Sequence, residues 1–281
     1  MAYPHLELDR RLPKMEWLSV SRAGKEFHIP VQLRMGTHGP TLLFVHGLGG
    51  AKENFLAAFQ SQALSSCTLV AFDLPGTGLA QFDPEAWSGV SALAELAQIV
   101  RERWAPRNAY LVAASMGGLI ALLLLRKYGT GGLLGMVNIE GNLAPEDCMF
   151  SRRTASCQFE EFSGRLFEQS QAELLQSPHT GDHIIAHNMA LNTDKRAYHR
   201  YSFETVAESD SGQLLKEFLA LPLPKLFLYG EANRSLSYLS TLCASDVEVR
   251  EIPKSAHFLF YDNPVSTFEE IGKFVSSGGT T

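Results

Sequence analysis

Ser115 is the residue around which this chain's chemistry can be organised. It stands in Tyr110-Leu-Val-Ala-Ala-Ser-Met-Gly-Gly118, with the apolar run Leu119 to Leu125 behind it. The pattern predicts a buried strand that turns sharply at Ser115 and continues as a helix. Such an elbow holds a hydroxyl out of the sheet, in a strained turn, where it can attack a carbonyl. Ala113 and Gly117, two positions away on either side, keep the turn free of bulk, with Ala standing where Gly is usual. Any serine between small residues at a strand end would imitate this motif, so the rest of the chemistry must be found elsewhere in the chain.

A serine is a weak nucleophile until a base takes its proton and donors stabilise the oxyanion that follows. Thr41 to Val45 is a short apolar strand leading into His46-Gly47-Leu48-Gly49-Gly50. A His-Gly-x-Gly-Gly turn after an early strand aims a backbone N–H at a developing oxyanion. Leu48 would supply one donor and Met116, next to the nucleophile, the other. Near the other end, Val247 to Ile252 alternates as a strand and leads to Pro253-Lys-Ser-Ala-His257-Phe258, after which Asp262-Asn263-Pro264 opens the last helix. His257 thus falls on the loop after the final strand, where a general base would stand.

With these residues in place, the chain resembles the α/β-hydrolase fold family over nearly its whole length. Four landmarks occur in the family's order: His46 to Gly50, Phe72-Asp-Leu-Pro-Gly-Thr-Gly78, Ser115 in its elbow, and His257 before Asp262-Asn263-Pro264. Each is weak alone, and the order makes them strong. The resemblance implies an α/β fold with a mostly parallel central sheet flanked by helices and a helical cap inserted after the sixth strand. Asp73 in the second landmark reads as a turn residue, its carboxylate bonding nearby backbone N–H groups.

In this family the acid that orients the histidine most often follows the seventh strand, about three residues after a Gly. Here Lys225 to Tyr229 is followed by Gly230-Glu231-Ala232-Asn233, so the expected position holds Asn233, which carries no charge. Glu231 is one substitute. The other is Glu140, which closes the apolar sixth strand Leu134-Gly-Met-Val-Asn-Ile-Glu140. A carboxylate leaving the core at a strand end is expensive without a partner, which favours Glu140 over Glu231 and Asn233. Its position resembles the branch of the family that includes certain haloalkane dehalogenases. That likeness concerns the acid alone, since dehalogenases and epoxide hydrolases of this fold need a carboxylate at the elbow and this chain has a serine.

The resulting assignment is Ser115 as nucleophile, His257 as base and Glu140 as acid, with Leu48 and Met116 as oxyanion donors. It predicts a cofactor-independent serine hydrolase cleaving a small to medium carboxylic ester through an acyl-enzyme. A C–C hydrolase or lyase on the same three residues is the alternative. A non-catalytic ligand-binding member of the fold is a third reading, weakened by the presence of both Ser115 and His257.

At 281 residues and 45% hydrophobic content, the chain can bury one large core. A net charge of −6 provides no basic face for nucleic acid and no patch for anionic lipid. Met1-Ala-Tyr-Pro-His-Leu-Glu7 lacks the basic and apolar regions of a secretory signal, and no apolar run is long enough to span a bilayer, so a cytoplasmic enzyme is expected. Cys67, Cys148, Cys157 and Cys243 have no metal spacing and read as free thiols.

Met15 to Ser21 and Lys25 to Met35 read as two leading strands, Lys52 to Leu64 as a helix, Thr68 to Phe72 as a strand and Ser91 to Trp104 as a helix. In the last, Leu93, Leu96, Ile99 and Val100 form a core face. Residues 1–142 and 224–281 make the hydrolase core. The stretch 143–223 lacks strand alternation and is too long for a loop, so it reads as a cap with helices at Phe159 to Gln176 and His183 to Asn192. Phe150, Phe159 and Phe162 are candidates for an apolar substrate pocket, and Arg152 and Arg153 for a carboxylate clamp. Single aromatics of this kind more often pack a cap onto its core, and an Arg pair is more often a solvated face. His183 and His187, four apart, share a helix face, but without a third ligand they rarely bind a metal tightly, and neither metal nor cofactor is expected.

Overall fold

The structure, a computed structural model, describes residues 12–278. The N-terminal stretch Met1 to Glu7 and residues 279–281 lie outside it. Eight strands form one sheet in the order β1-β2-β4-β3-β5-β6-β7-β8. They are β1 (Lys14–Arg22), β2 (Lys25–Arg34), β3 (Thr41–Val45), β4 (Thr68–Phe72), β5 (Ala109–Ala114), β6 (Leu133–Ile139), β7 (Lys225–Gly230) and β8 (Glu248–Ile252). β1 and β2 are an antiparallel hairpin, β2 pairs antiparallel with β4, and from β4 to β8 every pairing is parallel. Ala23 and Gly24 make the hairpin turn, both at positive φ (50° and 72°), which matches the right-handed twist of the strands it joins.

The parallel strands are buried on both faces, which is why they read as unbroken apolar runs. Alternate residues divide between two core layers, following the two-residue period of a strand. Leu43, Val45, Leu111 and Ala113 belong to one layer, with α2 (Val90–Trp104) and α3 (Met116–Tyr128) packed over it. Leu42, Phe44, Tyr110 and Val112 belong to the other, which takes Phe59 of α1 (Leu56–Gln60) and, from the C-terminal helix, Phe268 and Phe274. Leu93, Leu96 and Val100 are buried as their spacing predicts, and Ile99 is partly buried on the same side.

Lys52 to Leu64 is not one helix. It divides into a 3-10 turn (Lys52–Phe55), α1 and a second 3-10 turn (Gln62–Leu64), with Ser61 extended between them. The first turn is pinned to the sheet, since Lys52 donates from both N and Nζ to Asp73 at 2.8 and 3.0 Å.

Between β6 and β7 lies the helical insertion. It contains α4 (Met149–Ala155), α5 (Phe159–Glu161), a π-helical turn (Phe162–Leu166) leading into α6 (Phe167–Leu174), α7 (Thr180–Asn192), α8 (Lys195–Asp210) and α9 (Leu214–Ala220). Asp194 starts α8 as its cap, accepting from the N–H groups of Arg196 and Ala197. After β7 follow α10 (Leu239–Cys243), α11 (Leu259–Asp262) and α12 (Pro264–Ser276). Among the described residues, no helix is long and apolar enough to cross a membrane.

Candidate active site

β5 delivers Ser115 into a turn that only a constrained site maintains. Its φ of 53° and ψ of −128° lie outside the regions open to an ordinary residue. The turn is held by Ser115 N donating to Ile139 O (3.1 Å) and by the Ser115 carbonyl accepting from Gly118 N (2.8 Å) and Asn142 N (3.2 Å). Glycines permit the crowding around it. A Cβ at Gly47 would lie 2.8 Å from that of Ser115, and one at Gly117 would collide with the Val45 carbonyl. The first N–H groups of α3 have no partner within the helix, so Met116 N stands at the positive end of a helix dipole directly beside the serine.

The loop carrying Leu48 is built on His46, whose role is structural. The ring is fully buried, and burial keeps it neutral by lowering its pKa. Nε2 accepts from Leu74 N at 3.0 Å, so the proton resides on Nδ1, which donates to Gly47 O at 2.8 Å. Asp73 binds the same region together through Lys52 N, Lys52 Nζ and Leu79 N.

β6 ends beside β5, and Glu140 just beyond it is a second non-glycine residue at positive φ (42°). Its carboxylate is 4% exposed and is met only by donors. Oε1 accepts from Gly230 N at 2.7 Å, the Asn233 amide donates to Oε1 and Oε2 at 2.9 and 2.8 Å, and His257 Nδ1 lies 2.8 Å from Oε2. Burial alone would raise the Glu140 pKa, but the bonds from His257, Asn233 and Gly230 outweigh it and hold the group below its ordinary value. Burial likewise works against a charged His257, and the Glu140 bond and charge reverse it, so the ring's pKa lies above 6.5. His257 therefore points Nδ1–H at the carboxylate and keeps the Nε2 lone pair for other work.

Asn233, at the position where an acid was sought, supplies an amide that holds both oxygens of Glu140, at the end of the neighbouring strand. Glu231 instead accepts from Lys254 N at 2.8 Å, on the exposed side of the histidine loop.

The cavity at the serine is small, about 20 Å³, and is lined by Leu48, Ser115, Met116, Asn142, Asp147, Phe150, Ser151, Thr205 and Phe258. Asp147 has no motif to announce it. Its carboxylate accepts from Leu143 N and Ala144 N at 2.7 and 2.8 Å and from Tyr238 O–H at 2.8 Å. Burial nevertheless pushes its pKa up to about 6.

Of the substrate-pocket candidates, Phe150 reaches this cavity, its ring 6.3 Å from that of His257. Phe162 is buried inside the insertion, stacked on Tyr198, and Phe159 packs edge-on against His199. Neither lines the serine cavity. Arg152 is occupied by Asp210 (2.6 and 3.0 Å) and Arg153 by Glu173 (2.7 Å), so neither is an open clamp. His183 and His187 both lie on α7, where His183 Nε2 is 2.8 Å from Ser177 O and His187 is exposed. Among the described residues, no group of three or more His, Cys, Asp or Glu side chains is arranged to hold a metal ion.

Two further contacts, invisible in the sequence, join the insertion to these loops. The buried Asp262 accepts from Gly181 N at the start of α7 (2.7 Å) and from Ala256 N beside the histidine (3.0 Å). Asn188 Nδ2, further along α7, donates to Gly49 O at 2.7 Å.

Fold and sequence together define the class: residues 42–271 match the alpha/beta hydrolase family, and the chain belongs to it. No curated protein matches the chain in sequence. Among solved structures, it is similar to a thermophilic esterase from Thermogutta terrifontis, at 20% identity and a TM-score of 0.75, over 94% of this chain and 100% of that one. An N-acyl homoserine lactonase, AidH, solved with N-butanoyl homoserine, matches at 18% identity and a TM-score of 0.74, over 95% and 98% of the two chains. An esterase from Exiguobacterium antarcticum matches at 14% identity and a TM-score of 0.73, over 93% and 100%. At these identities the likeness is one of fold.

Proposed function

We propose that the chain is a cofactor-independent serine hydrolase of small to medium carboxylic esters. The observation that carries this is the His257 Nδ1 to Glu140 Oε2 contact of 2.8 Å, in a site where Ser115, like Glu140, is held at positive φ. Ser115 Oγ attacks the ester carbonyl while His257 Nε2 takes its proton. Glu140 fixes the ring's tautomer and stabilises the imidazolium that forms. Leu48 N and Met116 N receive the oxyanion. Losing one such donor costs roughly 3 kcal/mol of transition-state stabilisation in serine hydrolases. The imidazolium then protonates the departing alcohol, and a water activated by the same nitrogen hydrolyses the acyl-enzyme.

Residues 143–223 act as the cap of this site, over a core made of 1–142 and 224–281. The esterases and the lactonase of similar fold act on bonds of this kind by their names, which supports the reaction class. The test is labelling with a fluorophosphonate, located by peptide mass spectrometry, beside turnover of p-nitrophenyl esters. Labelling at Ser115 that is lost in Ser115→Ala is the expected result. Ester turnover that survives in Ser115→Ala would overturn the assignment.

A further inference from the structure

The cavity at Ser115, about 20 Å³, has room for about one water molecule and none for an ester. Beside it, between α4, α6 and α7, lies a pocket of about 260 Å³ walled by Met149, Phe150 and Leu174, with Arg153, Glu173 and Asp182 among its polar residues. Phe150 is the one residue that lines both spaces. Its ring is half-buried and stacks at 28° on Phe258, 6.2 Å between centroids. A rotation of this single side chain would merge the two spaces. No comparable opening is offered at α7, which is tied to the loops on both sides of the site through Asp262 and Asn188.

Charge decides what the merged pocket can hold. Arg153 is its one cation and is already paired with Glu173 at 2.7 Å. Asp182 faces the outer pocket and Asp147 the inner one. A substrate arm ending in a carboxylate would enter without a free cation and against two acids, and an unpaired buried charge is strongly disfavoured. Apolar walls of Met, Phe and Leu instead reward an uncharged chain.

We propose that the pocket behind Phe150 is the acyl-chain site, taking an uncharged medium-length acyl arm and rejecting one that ends in a carboxylate. This rests on the ester-hydrolase reading above. It commits the pocket to one ligand chemistry and makes Phe150 and Asp182 specificity residues.

The experiment compares kcat/KM for p-nitrophenyl acetate, p-nitrophenyl hexanoate and the mono-p-nitrophenyl ester of adipic acid at pH 8. Hexanoate is expected to exceed acetate by at least 10-fold, from the apolar surface its four extra methylenes bury. The adipate half-ester should fall about 100-fold below hexanoate, the penalty of a like charge without a partner. Asp182→Asn should narrow the hexanoate-to-adipate ratio at least 5-fold. Phe150→Trp should lower the hexanoate-to-acetate ratio, and Phe150→Leu should raise it. A hexanoate-to-adipate ratio below 3, or one unchanged in Asp182→Asn, would overturn the charge selection. A chain-length preference indifferent to both Phe150 variants would overturn the site. Acetate turnover that depends on Ser115 separates these failures from failure of the reaction class.

Discussion

Glu140→Gln is the substitution that probes the site most sharply, because it changes one atom among partners that are all donors. The wild-type carboxylate faces Gly230 N–H, the Asn233 amide and His257 Nδ1–H, at 2.7 to 2.9 Å. A glutamine must turn its NH2 toward one side of this ring. Turned toward Gly230, it sets donor against donor in a buried position, at a cost of about 1–3 kcal/mol. Turned toward His257, it donates to Nδ1 and drives the proton onto Nε2, where the base must be free. The glutamine NH2 meets the Asn233 amide in either orientation, but the second keeps an acceptor for Gly230 N–H as well as for one Asn233 N–H, so the protein adopts it and the base is lost. Turnover should then fall by about 10⁴, the loss seen when the acid of a triad is made neutral. The pH profile gives an independent readout. In the wild type, kcat/KM should rise with pH through a midpoint above 6.5, because His257 must be neutral to act and Glu140 raises its pKa against burial. In Glu140→Gln the burial stays and the charge goes, so the midpoint of any residual activity should drop below 6.5. Retention of more than a tenth of wild-type kcat, or a midpoint that does not move, would refute the assignment of Glu140.

The same pair makes stability depend on pH from both sides. Glu140's lowered pKa contributes stability above about pH 4.5 that disappears as pH falls through its folded value, and His257's raised pKa contributes stability below 6.5 that disappears as pH rises through its folded value. Denaturant midpoints in Glu140→Gln should be flatter than wild type across that range. Asn233→Ala removes an amide that holds both carboxylate oxygens, and kcat should fall about 10-fold, since water can replace part of a half-exposed donor; full activity would make Asn233 dispensable. Asp147 behaves in the opposite sense to Glu140. Its pKa is raised from 3.8 to about 6, so its ionisation lowers folding stability as pH rises between those values. Asp147→Asn should remove that slope from a plot of melting temperature against pH, and an unchanged slope would mean the carboxyl ionises freely. Asp262→Ala orphans the Gly181 and Ala256 N–H groups and should cost about 2 kcal/mol in urea unfolding, together with a larger fall in kcat/KM than Asp262→Asn, which keeps one acceptor.

Much of this arrangement is legible in the chain because each landmark is local. The elbow around Ser115, the glycines after β3 and the loop before Asp262 carry their conformational demands in adjacent residues. The parallel strands announce themselves as apolar runs for the same reason that they are buried on two faces. Lys52 to Leu64 was less readable, since nothing at Ser61 signals a break, and the 3-10 turn at its start is held by a distant carboxylate, Asp73. Inside the insertion, helix spacing located α5 to α7 but could not say which aromatic faces the serine. Phe150 does so because α4 lies against α8, whereas Phe162 turns into the insertion's own core. Asp147, Asn188 and Asp262 act through partners 80 to 140 positions away or through a cavity, and no spacing rule reaches that far. Asn233 is the instructive case. The residue that looked like a missing acid is instead a donor to both oxygens of Glu140, at the end of the adjacent strand.

Helix α7 has a consequence that reaches past the site. Gly181 and Asn188 are seven positions apart, two turns of helix and about 10 Å, so they lie on one face. At one the helix is fastened to the loop of His257, and at the other to the loop that carries Leu48. The two loops come from opposite ends of the chain, yet both are joined to this helix. By reciprocity of linked equilibria, a ligand that draws both loops tight must stiffen the helix by the same free energy with which the helix favours the ligand. Slowed amide exchange at α7 would therefore report occupancy of Ser115, although α7 contributes none of the residues assigned to the chemistry. Position 181 must stay small, since a Cβ there would lie 2.7 Å from that of Phe258, and position 188 must keep an amide for the Gly49 carbonyl.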